Sequence, residues 1–358
     1  MNSPRKVTIS DIAAAAGVSK TTVSRYLNGQ YQLMSEDTRR RVAAVIEMSQ
    51  YRPSAAAQSL KNQRSRLIGV IISDISSPFS ASLVRGIGDA LNPAGYTLLF
   101  ANCDDDPARE QSFFYSLMDR SVEGFIVNTT SYDNPFLIHL AVQGVPIVLC
   151  DRYVRDYNFP IASAEFSTPI RQLVQHLHAQ GFARVGFFTQ DYAQNSPRRI
   201  RRDAFLAEMT ATYGVSAPEN DVYVVDLKEP EGIRRQLCRL LAQCGPGEVP
   251  AVIGVNSITT MHMIGAIQCL GLSIPQQIGV CGPDDWSWDK MMNWTDLIAP
   301  GITSFSINAY QVGLASGRLM LQRLIDGVPP ASVTLPASPL EIRGSTLLHG
   351  IAPRRDEK

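Results

Sequence analysis

No stretch of the 358 residues approaches the ~20 consecutive apolar positions that a membrane-spanning helix needs, so no such helix is expected. The first residues are polar and basic, without the apolar centre of a secretory signal, and a cytoplasmic location is expected. Cysteine is sparse: Cys103, Cys150, Cys238, Cys244, Cys269 and Cys281 form no Cys-x-x-Cys pair and no cluster with histidine. That spacing argues against a disulfide framework or a zinc module; the thiols are expected to be reduced and mostly buried. Five histidines give no histidine-based metal set. The phosphate-cradling Gly-rich loop of nucleotide hydrolases is missing, and so is the Gly-x-Ser-x-Gly turn of serine hydrolases. No catalytic residue, metal or cofactor is expected, and the chain does not read as an enzyme.

Net charge is missing too, since 33 Lys and Arg balance 33 Asp and Glu. The balance hides an asymmetry along the chain. Residues 1–66 carry 11 Lys and Arg against 4 Asp and Glu, whereas the remainder carries 22 against 29. A basic N-terminal segment on an acidic body suits binding of nucleic acid by that segment alone. The length leaves room for two or three domains with cores of their own.

Within the basic segment, residues 7–28 read as two short helices joined by a tight turn. Thr8 is placed to cap the first, with Asp11 three residues on, near its positive end. Ile12, Ala13 and Ala16 share one small apolar face. Gly17 ends that helix, and Ser19 caps the next, which runs over 20–27. Val23 and Leu27, one turn apart, point inward, which leaves Lys20, Thr21, Thr22, Ser24, Arg25 and Asn28 outside. A helix-turn-helix has this layout: one helix crosses the DNA backbone and the next lies in the major groove, its N-terminal side chains at base edges. Arg can take guanine through two hydrogen bonds, and Ser or Thr a base edge or a phosphate. An ordinary helical hairpin with a solvated polar face has the same two helices, so the helices alone leave both readings open.

The run of residues is more specific. Asp11-Ile12-Ala13, Ala16-Gly17-Val18-Ser19, Thr22-Val23-Ser24-Arg25 and Leu27-Asn28-Gly29 resemble the N-terminal signature of the lactose-repressor (LacI/GalR) family of bacterial transcription regulators. The resemblance continues, less densely, to about residue 346. It implies that Lys20 and Thr21 choose the operator and that Arg25 contacts a base. A third helix is expected over 36–48, capped by Ser35, with Val42, Val45 and Ile46 inward. Arg39, Arg40 and Arg41 on it either reach phosphates or form a solvated face. After Tyr51-Arg52-Pro53-Ser54 breaks that helix, residues 55–60 read as a short helix. The family resemblance makes this a hinge that enters the minor groove with Leu60 as an apolar wedge. Ser54 stands where the family usually has Asn, and Gln58 where Arg is frequent; both keep hydrogen-bonding capacity. The expected DNA-binding residues are thus Thr8, Lys20, Thr21, Thr22, Ser24, Arg25, Asn28, Tyr51, Ser54, Gln58 and Leu60.

From residue 67 the pattern changes to alternating strands and helices. Short apolar runs at 67–73, 97–102, 124–128 and 146–151, then at 184–189, 221–226, 251–255 and 278–282, are separated by helical stretches. This implies α/β layers with parallel sheets in two lobes of similar size. The expected division is a helix-turn-helix head at 1–53, a hinge helix and linker at 54–66, and a two-lobed core at 67–346. Lobe one would hold about 67–165 plus 300–326, and lobe two about 166–299 plus 327–346. Residues 347–358 would be a disordered tail. The crossing of the chain between lobes, and the likeness to type I periplasmic binding proteins, are implied by the resemblance and not by periodicity.

Ligands of open α/β sheets sit beyond the carboxyl ends of the strands. The polar residues there include Asp74, Asn102, Asn128, Arg152 and the stretch 195–202. The resemblance sharpens some positions. Val145-Pro146-Ile147-Val148 followed by Asp151-Arg152 is similar to a family segment whose Asp touches ligand. Arg201 before Ala204-Phe205 matches a ligand-binding Arg, although Ala204 replaces a Gly. Asn256 matches a ligand turn, with Ser257 in place of Asp, and Gly282-Pro283-Asp284-Asp285 carries Asp284 over as a contact. The expected effector-binding residues are Phe79, Asp104, Asp151, Arg201, Asn256, Asp284 and Trp286. The cationic run Arg198, Arg199, Arg201 and Arg202 favours an anionic ligand, a sugar acid of the gluconate or ketogluconate type.

The sequence therefore implies a homodimeric regulator, a repressor, that binds double-stranded operator DNA under control of a small effector, a sugar or sugar acid. No membrane partner is expected. Other readings remain: a solute-binding or carbohydrate-sensing protein without operator specificity, and a corepressor-type regulator responding to a purine-like ligand. The effector, the operator, the sign of regulation, and dimer against tetramer are not legible.

Overall fold

The structure is a computed structural model that describes residues 7–51, 64–283, 287–289 and 292–348. It divides into two units, Met1–Arg66 and Leu67–Lys358.

Among the described residues of the first unit, the α-helices are α1 (Ile9–Ala16), α2 (Lys20–Leu27) and α3 (Glu36–Ser49). Local chemistry sets their ends. Thr8 and Asp11 form a reciprocal capping box on α1, and Gly17 closes it in the left-handed region at φ 65°. Ser19 and Ser35 cap α2 and α3 by accepting from the backbone N–H three residues on. Ile12, Ala13, Ala16, Val23 and Val42 form the core of this unit, flanked by Leu27, Val45, Ile46 and Tyr51.

The second unit holds two parallel sheets. In lobe one, β1 (Leu67–Ile72), β2 (Thr97–Asn102), β3 (Gly124–Asn128), β4 (Ile147–Cys150), β5 (Ile161–Ala164) and β13 (Val333–Leu335) run in the order β13-β5-β4-β3-β1-β2. Its helices are α4 (Pro78–Leu91), α5 (Pro107–Met118), α6 (Pro135–Val142) and α12 (Ala309–Asp326). In lobe two, β6 (Arg184–Thr189), β7 (Val222–Val224), β8 (Pro250–Gly254), β9 (Gly279–Pro283) and β12 (Thr303–Phe305) run in the order β12-β9-β8-β6-β7. Its helices are α7 (Ser167–Ala179), α8 (Ser196–Tyr213), α9 (Pro230–Leu241) and α10 (Ser257–Cys269), with a one-turn α11 (Trp294–Leu297) after a small hairpin of β10 (Ser287–Asp289) and β11 (Met292–Asn293). Both sheets repeat one doubly wound order, with the first strand of each lobe flanked by its second and third. The central strands β3, β4 and β8 are buried along their whole length, as sheets covered on both faces require.

The late segments differ from the sequence expectation in two places. Residues 300–306 were assigned to lobe one, but β12 pairs with β9 and so completes lobe two. Val333–Leu335 was assigned to lobe two, but it pairs with β5 at the edge of lobe one. Each is a three-residue strand, too short for periodicity to name its sheet. Helix α12 does return to lobe one, where Gly313 and Gly317 lie against the backbone of α4. Strand β5 is absent from the sequence reading, because Ile-Ala-Ser-Ala offers little apolar signal. Leu348, expected in a disordered tail, packs on the core, and residues 349–358 lie outside the described residues.

The chain thus passes between the lobes three times. The three crossings are tied together: Glu165 N donates to Leu335 O at 2.8 Å, Ser338 N to Ser306 O at 2.8 Å, and Ser306 N to Ser338 Oγ at 2.7 Å.

Candidate functional site

Two regions carry chemistry. In the first unit, the turn through Gly17 fixes the start of α2, and burial of Val23 turns its opposite face outward. Lys20, Thr21, Arg25 and Asn28 are exposed there, while Thr22 and Ser24 are half-buried. Some of the expected DNA contacts also have structural work. The Thr8 hydroxyl donates to Asp11 Oδ2 at 2.7 Å, Thr22 N donates to Ser19 Oγ at 3.1 Å, and Asn28 Nδ2 donates to Ser24 O at 2.6 Å. Tyr51 packs against the core of the unit. Arg39 and Arg40 face Glu36, and Arg41 faces Asp37, along α3. Ser54, Gln58 and Leu60 lie outside the described residues.

The second region is a cleft between the lobes, where the carboxyl ends of the two sheets meet. It encloses a cavity of about 770 Å³. Such a crevice, at the point where strand order reverses, is where doubly wound sheets bind ligands. Lobe one contributes Ser73 and Asp74 after β1, Asn128 at the end of β3, and Asp151 and Arg152 after β4. Lobe two contributes Gln190 after β6, Asp226 and Lys228 after β7, Asn256 after β8, and Arg198 and Arg201 from the first turns of α8.

Hydrogen bonds hold this lining in place. Ser73 Oγ donates to Asn128 Oδ1 at 2.6 Å, and Asn128 Nδ2 donates to Cys150 O at 3.0 Å. Asn256 caps α10 through its Oδ1, while its Nδ2 donates to Gln190 Oε1 at 3.1 Å. Arg152 donates to Asp105 Oδ1 at 2.9 Å and to Thr129 O at 3.1 Å. Glu110, buried behind that loop, accepts from Thr130 N at 2.7 Å and Asn134 Nδ2 at 2.6 Å; burial raises its carboxyl above the ordinary range. Arg201 donates to Val255 O at 2.8 Å, and its guanidinium lies 4.7 Å from the centre of the Phe166 ring. Burial and the Arg152 charge together pull Arg198 down to about 10, with Arg201 adding to the repulsion.

The lobes also touch along one side of the cleft. Tyr132 N donates to Gln194 O at 3.0 Å, Asp133 N to Gln194 Oε1 at 3.1 Å, and Tyr153 N to Ser196 Oγ at 2.7 Å. Arg199 stacks over the Tyr132 ring at 5.0 Å.

Of the expected effector residues, Phe79, Asp151, Arg201 and Asn256 line this cavity, while Asp284 and Trp286 lie outside the described residues. Asp104 does not line it. Asp104 and Asp105 both take left-handed backbone angles, at φ 53° and 54°; Asp104 turns to Asn102 and Arg109, and Asp105 enters the cleft. Asp151 has the same type of backbone, at φ 65°. Sequence reasoning missed Asp105, Gln190, Asp226, Lys228 and His262. The rule that placed Asn128 and Asn256 would have found Gln190, which directly follows a strand.

Residues 8–54 match the family model described as bacterial regulatory proteins, lacI family. Residues 174–346 match a periplasmic binding protein-like domain. The HTH-type transcriptional regulator KdgR of Bacillus subtilis is 32% identical over 317 residues, which cover 88% of this chain and 91% of that one. The chain belongs to the lacI family of bacterial regulatory proteins. This regulator is also 33% identical to the HTH-type transcriptional regulator PtxS of Pseudomonas plecoglossicida, over 98% of its own length and 97% of the relative's. The crystal structure of the lac repressor dimer bound to operator and the anti-inducer ONPF superposes with a TM-score of 0.76 at 26% identity, covering 96% of the regulator and all of that chain. The regulator is therefore a DNA-binding transcription regulator with a helix-turn-helix head and a two-lobed effector-binding core. Among its described residues no helix is long and apolar enough to cross a membrane.

Proposed function

We propose that the regulator is a cytoplasmic homodimeric repressor, without enzymatic activity, whose operator affinity is set by a sugar acid bound between its lobes. The observation that carries the ligand class is the lining of the cleft. Asp151, Asn128, Gln190 and Asn256 suit the hydroxyls of a sugar, and Arg152, Arg198 and Arg201 suit its carboxylate. Phe79 and Ile307 supply apolar surface beside them. The head, residues 1–53, reads a half-site through Lys20, Thr21 and Arg25. Thr8, Thr22, Ser24, Asn28 and Tyr51 hold the helix or reach phosphates, and the hinge at 54–66 places Ser54, Gln58 and Leu60 at the minor groove. Two heads related by two-fold symmetry select two inverted half-sites. A ligand that prefers one arrangement of the lobes shifts the population able to bind DNA, and the size of the shift is its difference in affinity for the two arrangements.

The test starts with selection of bound sequences from random duplex DNA by the full chain. Fluorescence anisotropy on the selected duplex then follows, with aldonates, ketoaldonates and matched neutral sugars. The expected outcome is an operator with inverted half-sites whose apparent Kd moves at least about tenfold with a sugar acid, a coupling of ~1.4 kcal/mol. Enrichment of no common sequence would refute the operator reading, and an operator affinity indifferent to every ligand would refute the effector reading.

A further inference from the structure

We propose that the carboxylate of the ligand is held jointly by Arg152 of lobe one and Arg198 of lobe two, so that the charge of the ligand decides whether the lobes close on it. This rests on the effector reading above and adds which residues distinguish an acid from a neutral sugar.

The two guanidiniums reach one cavity from opposite lobes. Arg152 leaves the end of β4, is 9% exposed, and is anchored by Asp105 and by Thr129 O. Arg198 stands in the first turn of α8, where Asn195 caps the helix by accepting from Arg198 N at 3.1 Å, and its Nη1 donates to Asp191 O at 2.7 Å. The bond from Tyr153 N to Ser196 Oγ, at 2.7 Å, brings the backbone next to Arg152 against the same turn of α8. A guanidinium has five N–H donors in a planar fork. Among the described residues, Arg152 and Arg198 satisfy these only in part.

This arrangement has an electrostatic consequence. Arg152 and Arg198 carry like charges on the two sides of one cavity; burial first, and then the Arg152 charge, lowers the Arg198 pKa, while Asp105 and Asp191 offset part of this. Among the described residues, the carboxylate paired with Arg152 is Asp105, which is nearly half-exposed. A neutral sugar brings hydroxyls but leaves two like charges lining one cavity, where partial burial makes their repulsion stronger than in bulk water. A carboxylate between them reverses the sign: each lobe is attracted to the ligand, and the ligand links the lobes. Arg201 has a different place. It is tied to Val255 O at the end of β8 and stacked on Phe166, both on the lobe-two side of the cleft. It positions lobe two and does not bridge the gap. The hydroxyl-bearing part of the ligand is left to Asp151, Asn128, Gln190 and Asn256.

The test uses the full chain and a thermal-shift panel of gluconate, 2-ketogluconate, galactonate and glucuronate beside glucose and galactose, followed by calorimetric titration of whatever binds. Wild type is expected to bind at least one acid and to discriminate it from the matched neutral sugar. Arg198→Gln and Arg152→Gln should each weaken the acid by roughly 10- to 100-fold and, by removing the like-charge repulsion, bind the neutral sugar at least as well as wild type does, so that discrimination collapses. Asp105→Asn, which removes the competing carboxylate, should tighten the acid. Arg202→Gln, at a residue paired with Asp203 and stacked on Tyr192 outside the cavity, is the control and should change nothing. An acid that binds equally well to wild type, Arg152→Gln and Arg198→Gln overturns the clamp. So does a preference for neutral sugars, which would also refute the sugar-acid reading and leave a regulator that responds to a neutral sugar. Absence of binding by every compound overturns the clamp and the sugar-acid reading together, while operator selection by the head still decides the regulator reading separately.

Discussion

Replacing Gly313 by Ala is expected to be among the most damaging single-methyl additions to the core. Gly313 lies on α12, facing α4. A Cβ at that position would fall inside the contact distance of Leu83 O and would meet Leu83 C at 2.9 Å and Ile87 N at 3.1 Å. These are backbone atoms of a helix, so no side-chain rotation clears them. The same approach is used from the other side, where a Cβ on Gly86 would meet Leu314 N at 2.8 Å. Relief requires the helices to part by on the order of 1 Å, a gap that forfeits up to about half of each dispersion contact along the seam. Leu83, Ile87, Leu91, Val312 and Met320 are fully buried around that seam. Overpacking of this kind costs about 1–3 kcal/mol, and the rigid backbone partners put Gly313→Ala near the top of that range. With roughly 2–4 °C per kcal/mol for a domain of a few hundred residues, Tm should fall by about 6–12 °C. Gly265→Ala is the matched comparison. It places the same methyl within α10, where a Cβ meets nothing within 4 Å, so the helix-propensity gain of about 0.5–1 kcal/mol should raise stability. Urea and thermal unfolding of both variants measure the pair. A Gly313→Ala protein within about 0.5 kcal/mol of wild type would mean that the helices do not approach as described, and would refute the packing argument.

Three further outcomes are expected. Exchanging Lys20 and Thr21 for other side chains should move base preference within each half-site while leaving thermal stability unchanged, and operator selection reads this directly. Arg25→Gln should cost about 1–3 kcal/mol in operator binding and relax preference at one base pair; an equal loss on every sequence would assign Arg25 to phosphate instead. His176, which shares a hydrogen bond with Thr346 at 2.8 Å, has its pKa lowered from 6.5 by burial. A depressed histidine means that the unfolded chain takes up the proton first. Stability should therefore be full above pH 6.5 and decline as pH falls from there toward the folded-state value, and His176→Gln should flatten that decline in unfolding measured against pH.

What the sequence reveals depends on how local the determining physics is. The head was legible almost residue by residue because its caps, its left-handed Gly17 and its Val23–Leu27 face act within one or two turns. The central strands were legible because burial on both faces writes continuous apolar runs. Lobe membership of β12 and β13 was not, since three residues carry no period and their partners are 22 and 171 positions away in register. The candidate cleft divides the same way. Residues at or just past the end of a strand, such as Asn128, Asp151 and Asn256, could be placed by topology. Choosing Asp105 over Asp104 needed the backbone angles of an Asp-Asp-Asp turn, which composition does not encode. Arg152 and Arg198 line one cavity only because the two lobes come together there.

The three crossings between lobes also set an order on biosynthesis. During synthesis, β5 waits for its outer neighbour β13, and α4 waits for the close-packed face of α12, until the ribosome has passed residue 335. Lobe two cannot close its own sheet until β12 emerges. For most of translation the nascent chain therefore carries a bare strand edge and an unsheltered apolar helix face in lobe one, the kind of surface that chaperones protect. The head needs nothing from beyond its own segment to bury its small core. The part that reads DNA is complete while the part that is to restrain it is still being made.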